Sequence, residues 1–174
     1  MDALVIIDVQ QGMFGVPEFK VHDPDGTVGR IRDLLDAARA KDSPVIFVQH
    51  DGGAGHPLAA GEPGFAFVAP LAPRLTETVV VKTNCNAFQG TDLDAIMRAA
   101  GIDHLIVCGM QTQYCVDTAV RAAVERGYRV SLVADGHTTG DTPALSGEAI
   151  IGHHNETLNG SFAAVRPAAM ISFG

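Results

Sequence analysis

Apolar residues fall in short unbroken runs, separated by segments in which they recur every three or four positions. Ala3-Leu4-Val5-Ile6-Ile7, Val45-Ile46-Phe47-Val48, Thr78-Val79-Val80-Val81 and His104-Leu105-Ile106-Val107-Cys108 are such runs, as is the stretch 128–134. Runs of this kind, flanked by turn residues, predict strands buried on both faces, the mark of a parallel sheet. Helical spacing of Ile31, Leu34, Leu35 and Ala38 predicts a helix over 27–41, broken by Ser43-Pro44. Further helices are expected from Thr91, from the Cys115 region to about Arg126, and over 145–158, with short strands near 162–165 and 170–173. Two stretches carry no period: a glycine- and proline-bearing loop over 12–26, and the Gly-, Ala- and Pro-rich segment 51–76. Loops as long as the second are usually functional.

Three reactive side chains stand at equivalent places in this pattern. Asp8 follows the first strand, Lys82 ends the third, and Cys115 follows the fourth after Gly109-Met110-Gln111-Thr112-Gln113-Tyr114. In open parallel sheets functional groups gather at the carboxyl ends of strands, near the point where strand order reverses. The segment around Cys115 reads as strand, glycine turn, then helix start. A thiol in the first turn of a helix meets free N–H groups and the positive end of the macrodipole, which lower its pKa. The same N–H groups can hold an oxyanion. An acid to take the thiol proton, a cation to steady the thiolate and the nucleophile itself make a chemically complete set. Taken singly, each residue has a plainer reading: a turn aspartate, a solvated strand end, a buried inert cysteine.

With Ile7-Asp8-Val9-Gln10, Val81 to Leu93, Gly109 to Ala119, Gly127 to Asp135 and Ile151-Gly152-His153-His154-Asn155 in this order, the chain resembles the isochorismatase-like cysteine hydrolases. The resemblance implies a single-domain three-layer Rossmann-like α/β fold over residues 1–174, with a central mostly parallel sheet flanked by helices. It implies catalytic roles for Asp8, Lys82 and Cys115, and a non-proline cis peptide at Met110–Gln111 that sets the backbone N–H of Gln111 beside that of Cys115 as an oxyanion hole. The chemistry implied is cleavage of a small amide, ureide or lactam C–N bond through a thioester, without a cofactor. Phe14, His50, Phe88 and Tyr114 are candidate substrate contacts, and Gln10 is expected to support the loops. Gln113 stands where many members of the family carry an acidic residue.

Nicotinamidases of this superfamily carry a metal site after the second strand. Here Gln49 stands in place of the aspartate and Asp51 in place of the first histidine. His50, Asp51 and His56 are donors that zinc accepts, but neither spacing nor ligand type follows a metal pattern, so no metal is expected. A metal-assisted nicotinamidase and a non-catalytic thiol sensor are the alternatives.

Composition adds bounds. At 174 residues, 47% of them hydrophobic, the chain has enough interior for one well-packed domain. Its three cysteines lack CxxC spacing and fit a reducing cytoplasm; no membrane-spanning run or signal peptide is expected. A net charge of -8 disfavours nucleic acid and anionic membrane as partners. Apolar positions on more than one face of the 145–158 helix predict a homodimer or higher oligomer.

Overall fold

The computed structural model describes residues 1–14 and 20–174; part of the loop expected over 12–26 lies outside the described residues. Six strands form one parallel sheet: β1 (Asp2–Ile7), β2 (Val45–His50), β3 (Thr78–Lys82), β4 (His104–Met110), β5 (Arg129–Thr138) and β6 (Ala164–Arg166). Their spatial order is β3-β2-β1-β4-β5-β6. The chain builds outward from β1 in one direction, then restarts beside β1 with β4 and builds outward in the other. The reversal lies between β1 and β4, where the ends of neighbouring strands leave a crevice.

Among the described residues, four helices cover the sheet: α1 (Pro24–Ala40), α2 (Leu93–Ala99), α3 (Asp117–Glu125) and α4 (Gly147–Leu158). Helix α1 starts with Pro24 in its first turn, where a missing N–H costs nothing. It buries the expected Ile31, Leu34, Leu35 and Ala38, which pack with Leu4, Ile6, Phe47 and Ile106 on one face. On the other face Val5, Ile7, Val48 and Val107 pack with Met97 of α2 and Val120 and Ala123 of α3. Side chains that alternate along β1 and β4 therefore enter two different cores, which explains why these strands are apolar at every position.

Several boundaries differ from the sequence expectation. Strand β3 is not buried on both faces: Val80 is 6% exposed, but Val79 and Val81 are 41% and 48% exposed. It is the sheet's edge, and only one face is covered. The run 170–173 forms no strand, because the chain there closes in a helical turn at Ala168–Met170. Gly109 is no turn residue but lies within β4, at φ 122°, and a Cβ there would sit 2.1 Å from the Ile7 carbonyl oxygen. Only glycine lets β4 pass so close to β1. Strand β5 runs on to Thr138 through a register shift, so that Leu132 pairs with Val107 but His137 with Gly109.

Candidate active site

Asp8, the first residue beyond β1, adopts a left-handed backbone conformation at φ 51°, which aspartate tolerates better than most residues. Its side chain is 4% exposed and pairs with Lys82, whose Nζ lies 2.7 Å from Asp8 Oδ2. Lys82 is fully buried, contrary to the picture of a solvated strand end. Its ammonium has three protons and three acceptors: Asp8 Oδ2, Cys115 Sγ at 3.3 Å and His50 Nδ1 at 3.3 Å. The His50 contact follows from register, since His50 and Lys82 are paired residues at the ends of β2 and β3. The three residues expected to converge do so.

Electrostatics differ from the sequence expectation. Cys115 does not sit in the first turn of an α-helix; it lies in a π-helical turn, Thr112–Val116, that leads into α3. Its thiol pKa is raised, not lowered. Burial is the main cause, the adjacent Asp8 carboxylate adds to it, and Lys82 opposes both. Burial also raises the Asp8 carboxyl against the pull of Lys82. Among the described residues the buried Asp8 Oδ1 has no hydrogen-bond partner, which leaves one carboxylate oxygen to receive a proton. The resting thiol is thus protonated beside an unusually basic carboxylate.

The Met110–Gln111 peptide bond is cis. Gln111 and Cys115 line a cleft of 230 Å³ together with Asp8, His50, His56 and Tyr114. Tyr114 is half exposed. Two other candidate contacts lie elsewhere. The Phe88 ring is 8% exposed, stacks on Tyr128 at 6.3 Å and lies under the Arg126 guanidinium, in the core. Phe14 lines a separate surface groove with Val28 of α1, Val68 and Pro70. In their stead the cleft takes Met13 and Leu58, from the two stretches that carry no sequence period, and the exposed Cys85 from the loop after β3.

Supporting contacts hold the cleft's rim. Gln10, fully buried, donates to the His50 and Phe65 carbonyls at 3.0 and 2.9 Å and accepts from the His50 N–H at 2.8 Å. Gln49 donates to the same Phe65 carbonyl at 2.7 Å. An aspartate could not make that bond, so the position that carries a metal ligand in nicotinamidases here ties down a loop. Asp51 accepts from the N–H groups of Gly53 and Ala60. Among the described residues no three His, Cys, Asp or Glu side chains are grouped to hold a metal ion.

One network went unread in the sequence. The buried ring of His137 joins Thr112 Oγ1 at 2.9 Å to Asn155 Oδ1 at 2.9 Å, and Asn155 Nδ2 donates to the Ala134 carbonyl. Because the Asn155 amide donates to Ala134, its oxygen accepts, so His137 carries its proton on Nε2 and accepts from the Thr112 hydroxyl at Nδ1. Burial lowers its pKa from 6.5 to about 4, keeping the ring neutral. The π-helical turn that presents Cys115 is thereby tied to β5 and α4.

The family described as "Isochorismatase domain" matches residues 2–154. Streptothricin hydrolase of Streptomyces noursei is 38% identical over 147 residues, which cover 84% of this chain and 58% of that protein. The chain thus spans little more than half the length of that relative. Ureidoacrylate amidohydrolase RutB of Agrobacterium fabrum is 29% identical over 161 residues, covering 72% of this chain and 71% of that one. Among solved structures, an isochorismatase from Pseudomonas putida KT2440 superposes with a TM-score of 0.92 at 33% identity, over 98% of this chain and 89% of that chain.

Proposed function

This chain belongs to the isochorismatase family, and from that premise we propose that it hydrolyses a C–N bond of a small amide, ureide or lactam through a thioester on Cys115. The observation that carries this reading is the buried ammonium of Lys82 within 2.7 Å of a carboxylate and 3.3 Å of a thiol, both of which line the 230 Å³ cleft. The names of two relatives, a streptothricin hydrolase and a ureidoacrylate amidohydrolase, support the same class of chemistry.

In this mechanism Asp8 takes the thiol proton as Cys115 attacks the substrate carbonyl, and Lys82 steadies whichever of the two partners is anionic. Backbone N–H groups of Gln111 and Cys115 receive the developing oxyanion. Asp8 then protonates the departing amine, and afterwards takes a proton from the water that cleaves the thioester. No step calls for a cofactor. Assaying amine or ammonia release over a panel of small amides, ureides and lactams tests the reading. Turnover should vanish in Cys115→Ala, and quenched wild-type enzyme should carry the acyl mass on the Cys115 peptide. Undiminished turnover in Cys115→Ala would overturn it.

Self-association in the cytoplasm is part of the same proposal, supported by the apolar side chains of Val79, Val81 and Leu145 at the surface. Light scattering that gives the 18.2 kDa mass of one chain would refute it.

A further inference from the structure

Two histidines line the cleft, and the proposed mechanism uses neither. Their protonation follows from their partners. His50 Nδ1 faces the Lys82 ammonium at 3.3 Å, and an ammonium can only donate. His56 Nδ1 faces the backbone N–H of Leu58 at 3.1 Å, and that group too can only donate. Each ring therefore offers a lone pair at Nδ1 and carries its proton at Nε2. Neither Nε2 has a protein partner among the described residues.

The loop that presents His56 is built around it. Asp51 pins the loop through two backbone N–H groups, at 2.9 and 3.2 Å. Gly52 leaves the room: a Cβ there would lie 2.1 Å from His56 Nδ1. The two rings stand edge to face with centroids 6.2 Å apart. Two N–H donors from neighbouring rings that line one cleft favour an oxygen that accepts from them. His50 is half-buried and His56 exposed, so an apolar or donor group costs a hydrogen bond only where it covers these N–H groups and displaces the water they would otherwise meet.

We propose that His50 and His56 form a donor pair that reads a second oxygen acceptor on the substrate, a carbonyl or carboxylate separate from the amide being cleaved. This rests on the amide-hydrolase reading for its consequence, though not for its geometry. The two parts are tested separately. Long-range nitrogen–proton spectra of the whole protein with labelled histidine should show, at pH 8, both rings protonated at Nε2 and bare at Nδ1. A proton on Nδ1 of either ring would overturn the donor pair, whatever the enzyme's activity.

For specificity, succinamate and succinamide are compared with 4-methylpentanamide, which replaces the far acceptor by an apolar group of similar shape. The acceptor-bearing substrates should be favoured about tenfold in kcat/KM, the equivalent of one hydrogen bond, mainly through KM. That preference should collapse in His56→Leu and return in His56→Gln, which keeps an N–H donor. A larger preference for succinamate assigns a carboxylate, and an equal one assigns a neutral carbonyl. A preference unchanged in His56→Leu would overturn the inference while leaving amide hydrolysis standing. Failure of every amide to turn over would instead remove the hydrolase reading, with the spectra still deciding the donor pair.

Discussion

His137 should make this protein acid-labile, by an amount that can be worked out. In the folded chain the ring is neutral, because burial lowers its pKa from 6.5 to about 4. Its two nitrogens are also committed in a fixed sense, accepting from Thr112 and donating to Asn155. Above pH 6.5 the ring is neutral in folded and unfolded chains alike, so it contributes no pH dependence. Below pH 6.5 the unfolded chain binds a proton that the folded chain refuses, and stability falls as pH falls until about pH 4, where the folded ring also titrates. A gap of about 2.5 pH units at 1.36 kcal/mol per unit amounts to about 3 kcal/mol, a large fraction of a typical domain's stability. Urea unfolding of wild type and His137→Gln at intervals from pH 8 to pH 4.5 isolates this contribution, since glutamine does not titrate and every other group is common to both. The wild-type stability should drop more steeply below pH 6.5, diverging from the variant by about 2 kcal/mol at pH 5. Parallel curves would refute the argument. If the variant fails to fold, a direct titration of His137 in the wild-type protein serves instead, and a ring that protonates near pH 6.5 refutes it equally.

Other consequences follow from single contacts. Lys82→Met leaves the buried Asp8 carboxylate without its ion pair, so the variant should lose about 3–5 kcal/mol in urea unfolding at neutral pH, most of it recovered in Asp8→Asn/Lys82→Met. Gly109→Ala should cost about 3 kcal/mol or more, since the new Cβ meets the Ile7 carbonyl at 2.1 Å with φ at 122°. Gly152→Ala, on a helix position with nothing within 4 Å, should instead gain about 0.5–1 kcal/mol, so a thermal melt of the pair separates close backbone approach from helix propensity. In thiol labelling with iodoacetamide, Cys108 should stay unmodified until unfolding, and Asp8→Asn, which removes a charge that raises the Cys115 thiol, should speed Cys115 without changing the exposed Cys85. Unchanged or slower labelling of Cys115 would argue against the carboxylate as a cause of its raised pKa.

What the sequence revealed depended on whether a residue's role is set by its own strand or by another part of the chain. Asp8, Lys82 and Cys115 were legible because each sits at the end of an apolar run, and parallel strands bring their ends to one side. The two-sided burial of β1 and β4 was legible for the same reason. Edge position was not, because Val79 and Val81 look like core residues until the order of strands is known. Phe88 and Phe14 lie near Lys82 and Asp8 in sequence, yet one ring turns into the core and the other faces a different groove. His137 carried no local signal at all: its role depends on a register shift in β5 that brings it opposite Gly109. The raised thiol is not legible in the sequence, because nearness to a helix start is a local signal while burial, the larger influence here, depends on the rest of the fold.

That last reversal bears on how such a site can work. A thiolate stored in the resting cleft would share the one Lys82 ammonium with the Asp8 carboxylate, two negative charges against a single positive one. Holding the proton on sulfur keeps one negative and one positive charge in the buried cluster, which is the balanced state. In the proposed mechanism, attack on a carbonyl puts negative charge on the substrate oxygen, at the backbone N–H groups proposed to receive it, while the thiol proton neutralises the carboxylate at Asp8 Oδ1, a buried oxygen without a partner among the described residues. The cation then remains beside a neutral acid and within reach of the new thioester. The raised values of Asp8 and Cys115 belong together in this account: a more basic carboxylate is what a less acidic thiol requires for transfer to keep pace with attack. A site built this way generates its nucleophile only when a carbonyl is there to take the charge, which also shields the thiol from oxidants that react with free thiolate.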